Sequence, residues 1–196
     1  MPFLDPATCA QLLGALPPDG WQDGRIARPS RSPARAETIG EPVNIADDTV
    51  RSCRINDRLD PAFVARLQSD AMTLGAAVFQ FDIDGFHDDD PPHVMRYEAG
   101  DGFAWHVDNG TDTAPIASRK LAFSIQLSDP ATYVGGDLQL ALYDQKYLGT
   151  DPGMAAAMRA QGSLILFAAF QLHRIAPVTS GRRDALVGWL HGPAFR

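Results

Sequence analysis

The segment LAFSIQLS, residues 121–128, decides how the chain folds. Large apolar side chains stand at every second position, and small or polar ones stand between them. A period of two is typical of a β-strand. Similar evidence predicts seven further strands after residue 76, separated by turn signals, at 79–83, 93–97, 103–107, 138–142, 163–168, 174–178 and 184–191.

Two helices are predicted before these strands. Asp5-Pro6 and Asp60-Pro61 each place an N-cap residue before a proline at the first helical position. Apolar residues follow at helical spacing, which predicts helices at 6–16 and 61–75. Residues 17–58 are expected to form a loop with short strands. Two helices followed by a run of strands predict a mainly β protein, an antiparallel sandwich or jelly roll with the helices packed outside.

Length, charge and cysteine content limit the possible classes of protein. A chain of 196 residues fits one domain, with 1–76 as helical and loop support and 77–196 as the jelly-roll core. The net charge of −7 disfavours nucleic-acid binding. The longest apolar run, 164–170, is too short to span a membrane, and the first residues lack the features of a signal peptide. Two cysteines without metal-ligand spacing predict a reducing, cytoplasmic location. Nothing in the sequence indicates an oligomeric state.

Two His-x-Asp pairs could supply metal ligands. Side chains two apart on a strand share a face, and such a pair plus a distant histidine forms the facial triad of non-haem Fe(II) oxygenases. His87-x-Asp89 lies in an acidic turn, where a solvated loop is the simpler interpretation. His106-x-Asp108 has strand-like surroundings, although a structural histidine with a capping aspartate would look the same. His173, which follows a buried strand, is the candidate for the distant ligand.

An arginine opens the last apolar strand. Arg183 shares a face with Ala185, Val187 and Trp189. It needs a counter-anion if it points inward, because an unpaired buried charge is costly. Arg182 is expected to face solvent instead.

These motifs together resemble the Fe(II)/2-oxoglutarate-dependent dioxygenases, in particular their prolyl 4-hydroxylase-like branch. The resemblance covers about residues 93–191 and rests on Tyr97-x-x-Gly100-x-x-Phe103-x-x-His106-x-Asp108-Asn109, Gly135-Gly136-Asp137-Leu138, His173 and Arg183. It implies an eight-stranded double-stranded β-helix. It also implies His106, Asp108 and His173 as Fe(II) ligands. Arg183 would pair with the distal carboxylate of 2-oxoglutarate, and Tyr97 would donate its hydroxyl to the same cosubstrate.

The implied reaction is hydroxylation of a C–H bond with 2-oxoglutarate and O₂, releasing succinate and CO₂. The expected substrate is an amino acid, free or in a peptide, prolyl residues included. Trp105 and Asn109 are candidate substrate contacts, and Asn109 could instead support the Asp108 carboxylate. The basic loop that contains Arg25, Arg28, Arg31 and Arg35 could act as a lid that attracts an acidic substrate, although a solvated loop is the simpler interpretation.

Two positions depart from the family pattern, and two other functions stay open. Phe103 stands where many relatives have tyrosine, and Ala185 stands where serine or threonine is frequent. One alternative is a non-catalytic jelly-roll module that has kept a metal site, which would have no use for Arg183 and Tyr97. The other is a cupin-type metalloenzyme that uses no 2-oxoacid. Such enzymes usually carry a His-x-His motif, and the sequence has none.

Overall fold

The computed structural model describes residues 2–24, 26–28, 43–45, 50–110, 115–142, 147–148 and 151–193. Three α-helices lie in these ranges: α1 (Pro6–Ala15), α2 (Pro61–Phe79) and α3 (Pro152–Arg159). Each begins with an aspartate whose carboxylate accepts a hydrogen bond from a backbone N–H three residues on, followed by a proline. Helix α3 was not predicted, although Asp151-Pro152 carries the same start signal as the other two helices. None of these helices has both the length and the apolar character needed to cross a membrane.

The prediction of a strand at 79–83 is wrong. Helix α2 continues to Phe79, and Gln80 then adopts the left-handed conformation, with φ of 55°. Residues 80–84 form no strand. Phe79, Phe81 and Ile83 pack instead against an apolar cluster that includes Leu121 and Leu190. Three alternating residues were too short a pattern to distinguish a strand from a helix end.

The described strands are β1 (Gln22–Asp23), β2 (Ile26–Arg28), β3 (Val43–Ile45), β4 (Arg51–Ser52), β5 (Arg54–Asn56), β6 (His93–Tyr97), β7 (Gly102–His106), β8 (Arg119–Gln126), β9 (Tyr133–Gly135), β10 (Leu138–Ala141), β11 (Tyr147–Leu148), β12 (Leu164–Ala168), β13 (His173–Ile175), β14 (Val178–Gly181) and β15 (Arg183–His191). The predicted strand at 174–178 is therefore split between β13 and β14. Of the predicted basic loop, Arg28 ends β2, whereas Arg25, Arg31 and Arg35 lie outside the described residues.

Two antiparallel sheets form the body of the fold. The larger has the order β1-β5-β6-β15-β8-β12 and the smaller has the order β11-β10-β13-β7-β4. Short ladders also pair β9 with β14 and β2 with β3. The two main sheets enclose one buried cluster, to which Tyr97 and Trp189 contribute from the larger sheet and Leu140 and Ile175 from the smaller. This arrangement is the predicted double-stranded β-helix.

Helices α1 and α2 cover the outer face of the larger sheet. Phe123 and Leu186 on that face share a buried cluster with Cys9 of α1 and Leu67 of α2. The alternation in residues 121–128 is explained by this layering, since the large apolar side chains pack beneath the helices. The small and polar ones between them, including Gln126, are also buried and face the space between the sheets. The interior of the barrel is thereby free to carry polar groups.

Candidate metal centre

Neighbouring strands of the smaller sheet bring the three predicted ligands together. His173 on β13 lies directly opposite His106 on β7, and Asp108 follows β7 by two residues. An irregularity in this ladder pairs Ile175 with Phe103, which inserts one extra residue on β7. The bulge shifts the alternation, so that Phe103 and His106 stack with ring centroids 3.5 Å apart.

The geometry of the cluster suits a single metal ion. The ligand atoms of His106, Asp108 and His173 lie within 4.8 Å of one another, and within the described ranges this is the one cluster of three such side chains. The two imidazole Nε2 atoms lie 3.5 Å and 3.4 Å from different oxygens of Asp108. Two nitrogen ligands and one oxygen ligand form the donor set of the facial triad, which leaves further coordination positions open.

Backbone carbonyls orient both imidazoles. Nδ1 of His106 lies 2.7 Å from the Ala104 carbonyl, and Nδ1 of His173 lies 2.8 Å from the Gln171 carbonyl. A carbonyl oxygen can only accept, so each Nδ1 carries the proton and donates it. The Nε2 lone pairs therefore point toward Asp108, as metal binding requires.

Burial and charge tune the protonation of the cluster. Burial by itself would raise the pKa of Asp108, but the adjacent His106 and His173 side chains and the Arg119 guanidinium hold that pKa below its usual value. Burial lowers the pKa of His173, against the opposing effect of Asp108. A carboxylate that stays ionised beside an imidazole that stays neutral is the protonation state in which both bind metal.

A second set of contacts fixes the loop that carries Asp108. The backbone N–H groups of Asp108 and Asn109 both donate to the Ala169 carbonyl, at 2.8 Å and 3.0 Å. The Asn109 side chain donates to the Arg119 carbonyl at 2.7 Å, and the Arg119 guanidinium donates to the Asp108 carbonyl at 3.2 Å. Asn109 thus supports the Asp108 loop, one of the two roles expected for it.

Arg119 and its partner Asp90 are not among the site residues predicted from the sequence. Two parallel hydrogen bonds of 2.6 Å and 2.8 Å join the Arg119 guanidinium to the Asp90 carboxylate. His191 lies 3.3 Å from the same carboxylate. Arg119, like Arg183, is a charged residue at the start of a buried strand, and this could have marked it as a candidate. Its partner Asp90 lies 29 residues away in sequence, so the pair could not be recognised from local spacing.

Arg183 points into the barrel, as predicted. Arg183 is 1% exposed and lies opposite Tyr97 in the β15–β6 ladder. Its Nε donates to Gln126 Oε1 at 3.0 Å. Its Nη2 is buried and has no hydrogen-bond partner. A buried guanidinium with a free N–H is suited to a carboxylate, which accepts hydrogen bonds in a planar fork. The Tyr97 hydroxyl is in contact with the Met95 sulfur, at 3.5 Å.

Three other residues lie away from the cluster. Trp105 precedes His106 on β7, so its side chain points to the opposite face of the sheet. It is 37% exposed, and the Arg174 guanidinium lies over its ring. The structure therefore does not place Trp105 at the metal centre. His87 lies against His191, with ring centroids 5.3 Å apart. Arg182 faces outward as expected, with a 53% exposed side chain.

Comparison with known proteins gives the class to which this fold and centre belong. A family model described as the 2OG-Fe(II) oxygenase superfamily matches residues 92–191, which includes the whole cluster and Arg183. The chain belongs to this superfamily. Membership implies Fe(II) as the metal and 2-oxoglutarate and O₂ as cosubstrates, which agrees with the donor set and with the unpaired N–H of Arg183.

The relatives narrow the resemblance further. A PKHD-type hydroxylase of Cupriavidus metallidurans is 34% identical over 88% of this chain and 67% of its own length. One from Shewanella sp. (strain ANA-3) is 35% identical over 51% of this chain and 42% of its own. The chain spans about half the length of many of the named relatives it matches. A Pseudomonas putida prolyl-4-hydroxylase superposes with a TM-score of 0.58 at 19% identity, covering 97% of this chain and 100% of that one, and it shares the fold.

Proposed function

We propose that this protein is an Fe(II)- and 2-oxoglutarate-dependent hydroxylase that acts on a C–H bond of an amino acid, free or within a peptide, prolyl residues included. One observation carries the proposal. An oriented His–Asp–His cluster and a buried arginine with a free N–H belong to the interior of the same barrel. A bare metal-binding module would gain nothing from the arginine, because the desolvated cation is left partly unpaired.

His106, Asp108 and His173 are proposed to hold the metal. Two neutral imidazoles and one carboxylate leave one positive charge on Fe(II), which favours an anionic cosubstrate in the open positions. When bound, Fe(II) with 2-oxoglutarate and O₂ supplies the oxidising chemistry that hydroxylates the substrate and releases succinate and CO₂. The chain itself contributes orientation, through the two Nδ1 hydrogen bonds and the Asp108 loop.

Arg183 is proposed to hold the distal carboxylate of 2-oxoglutarate. Gln126 accepts from the guanidinium Nε and so fixes the plane of its fork, while Nη2 is left for the ligand. Tyr97, opposite Arg183, is proposed to assist with its hydroxyl, which would exchange the weak sulfur contact for a stronger acceptor. Phe103, which lacks a hydroxyl, covers one face of His106 and excludes water from it.

Succinate formation tests this assignment. With Fe(II), 2-oxoglutarate and O₂, the wild type is expected to release succinate, and His106→Ala, Asp108→Ala and His173→Ala are each expected to abolish release. His87→Ala is the matched control, because it removes a histidine that also has an aspartate two residues on but lies outside the cluster, and it should retain activity. Metal binding without succinate formation in the wild type would favour a non-catalytic metal-binding module instead.

A further inference from the structure

Buried polar atoms without a partner point to a second ligand-binding region. Among the described residues, four buried side-chain nitrogens have no hydrogen-bond partner: Arg51 Nε, Arg183 Nη2, Trp189 Nε1 and His191 Nε2. Leaving such a group unsatisfied costs free energy, so each needs an explanation. His191 Nε2 lies beside the Asp90 carboxylate, at 3.3 Å, and Arg183 is explained by the cosubstrate. Arg51 and Trp189 are left.

Arg51 faces the metal centre across one aromatic ring. It lies opposite Phe103 in the β4–β7 ladder, so both side chains are on the same face of the sheet. Its guanidinium lies 5.2 Å from the centroid of the Phe103 ring, whose other neighbour is His106. No carboxylate in the described part of the chain forms an ion pair with Arg51. It is a cation with one unpaired N–H, and the Phe103 ring separates it from the proposed ligand His106.

Trp189 lies on the interior face of β15 but far from the Arg183 end. Six residues separate the two on one strand, which is about 20 Å at the rise of a β-strand. The Trp189 ring is 8% exposed, and the Arg119 guanidinium lies 3.5 Å from its centroid. The indole N–H can only donate. It is therefore suited to an acceptor other than the distal carboxylate of 2-oxoglutarate.

Arg51 and Trp189 both approach the metal centre. Arg51 reaches it through the Phe103 ring, which stacks on one of the proposed metal ligands. Trp189 reaches it through Arg119, whose guanidinium lies over the indole ring and donates to the Asp108 carbonyl. The two residues therefore border the same metal site.

We propose that Arg51 binds a free carboxylate of the substrate and that Trp189 donates a hydrogen bond to the same molecule. The proposal rests on the hydroxylase function and specifies its substrate class. An amino acid or the C-terminal residue of a peptide carries such a carboxylate, whereas a residue inside a peptide chain carries an amide in its place. Arg51 therefore favours a substrate with a free carboxylate over an internal residue.

Binding of matched acids and amides tests the proposal. We would measure equilibrium dialysis of L-proline, L-leucine and L-lysine, their α-carboxamides, and the N-acetylated forms of all six. The enzyme would hold Fe(II) and 2-oxoglutarate without O₂. At least one acid is expected to bind tighter than its amide. Arg51→Leu should lower the affinity for that acid about 10- to 100-fold and leave the amide unchanged, because hydrogen bonds to charged groups are the stronger kind.

Three further variants separate a specific role from a general one. Arg51→Lys should retain part of the preference for the acid, since it keeps the charge and loses the fork. Trp189→Phe should weaken acid and amide alike, about 3- to 10-fold, because its N–H donates to either. Arg66→Leu is the matched control, since Arg66 also lies over a phenylalanine ring, 5.7 Å from Phe63, but on the exposed surface of α2.

The outcomes also separate this proposal from the hydroxylase function. Acid preference in the free series alone identifies free amino acids, and preference in the N-acetylated series identifies a C-terminal carboxylate. Equal binding of acids and amides in both series, or an unchanged preference in Arg51→Leu, overturns the carboxylate site. Acid preference without succinate formation in air would instead refute the hydroxylase function and leave the carboxylate site standing.

Discussion

Replacing Arg183 with leucine is expected to weaken the binding of 2-oxoglutarate and leave metal binding unchanged. The side chain is almost fully buried, it is anchored by Gln126, and one of its N–H groups has no protein partner. In the variant, the distal carboxylate of the cosubstrate would enter the same desolvated space without a counter-charge. The metal ligands do not contact Arg183 among the described hydrogen bonds.

The size of the effect follows from the burial of the pair. Losing one partner of a buried, hydrogen-bonded charge pair costs about 2–5 kcal/mol. At about 1.4 kcal/mol per factor of ten, the affinity for 2-oxoglutarate should fall roughly 30- to 3,000-fold. Arg183→Lys should recover only part of this loss, because an ammonium group cannot reproduce the planar fork.

The assay is succinate formation against 2-oxoglutarate concentration, with Fe(II) affinity measured separately without cosubstrate. Arg182→Leu is the control: the residue is adjacent and carries the same charge, but its side chain is 53% exposed and pairs with Asp184. Equal effects at positions 182 and 183, or no effect at 183, would refute the assignment of Arg183 to the cosubstrate even if the metal ligands were correct.

Two predictions concern the contacts behind the metal ligands. Arg119→Gln removes the hydrogen bond to the Asp108 carbonyl, and Fe(II) affinity measured against a chelator should fall about 10- to 100-fold; unchanged affinity would show that Arg119 does not position the ligand. Burial raises the pKa of Asp90, but the adjacent His191 imidazole and the two hydrogen bonds from Arg119 outweigh it and lower that pKa from 3.8 to about 2. The ionised Asp90 therefore stabilises the fold above its unfolded pKa, and this contribution of about 2 kcal/mol is lost as the pH falls toward 2. The free energy of unfolding in urea should fall with pH in this way in the wild type and not in Asp90→Asn. Parallel profiles of unfolding free energy against pH in the two proteins would contradict the prediction.

The positions of the longer strands and of two helices could be predicted from local patterns. The long alternation at 121–128 corresponds to β8, and the predicted strand at 184–191 corresponds to β15, because both patterns extend over many residues. The short alternation at 79–83 failed, since a helix end and a strand share the same spacing over so few positions. The Asp-Pro starts identified α1 and α2.

The contacts around the metal centre were less predictable. The positions of His106, Asp108, His173 and Arg183 followed from motif spacing and from the family resemblance. Arg119 and Arg51 did not, because their surroundings depend on which strands pair and in which register. The bulge in β7 that stacks Phe103 on His106 is also set by the partner strand β13 rather than by the sequence of β7 alone. Local periodicity carries no information on such pairings.

The most direct test of the metal and cosubstrate assignment is an anaerobic titration of the wild type with Fe(II) and 2-oxoglutarate, followed by visible absorption. The expected result is one Fe(II) per chain and a charge-transfer band that appears only when both are present, because the 2-oxoacid binds the open positions of a facial-triad iron. The band should be absent in Asp108→Ala and His173→Ala and present in His87→Ala. No band in the wild type, or an undiminished band in Asp108→Ala, would contradict the proposed centre.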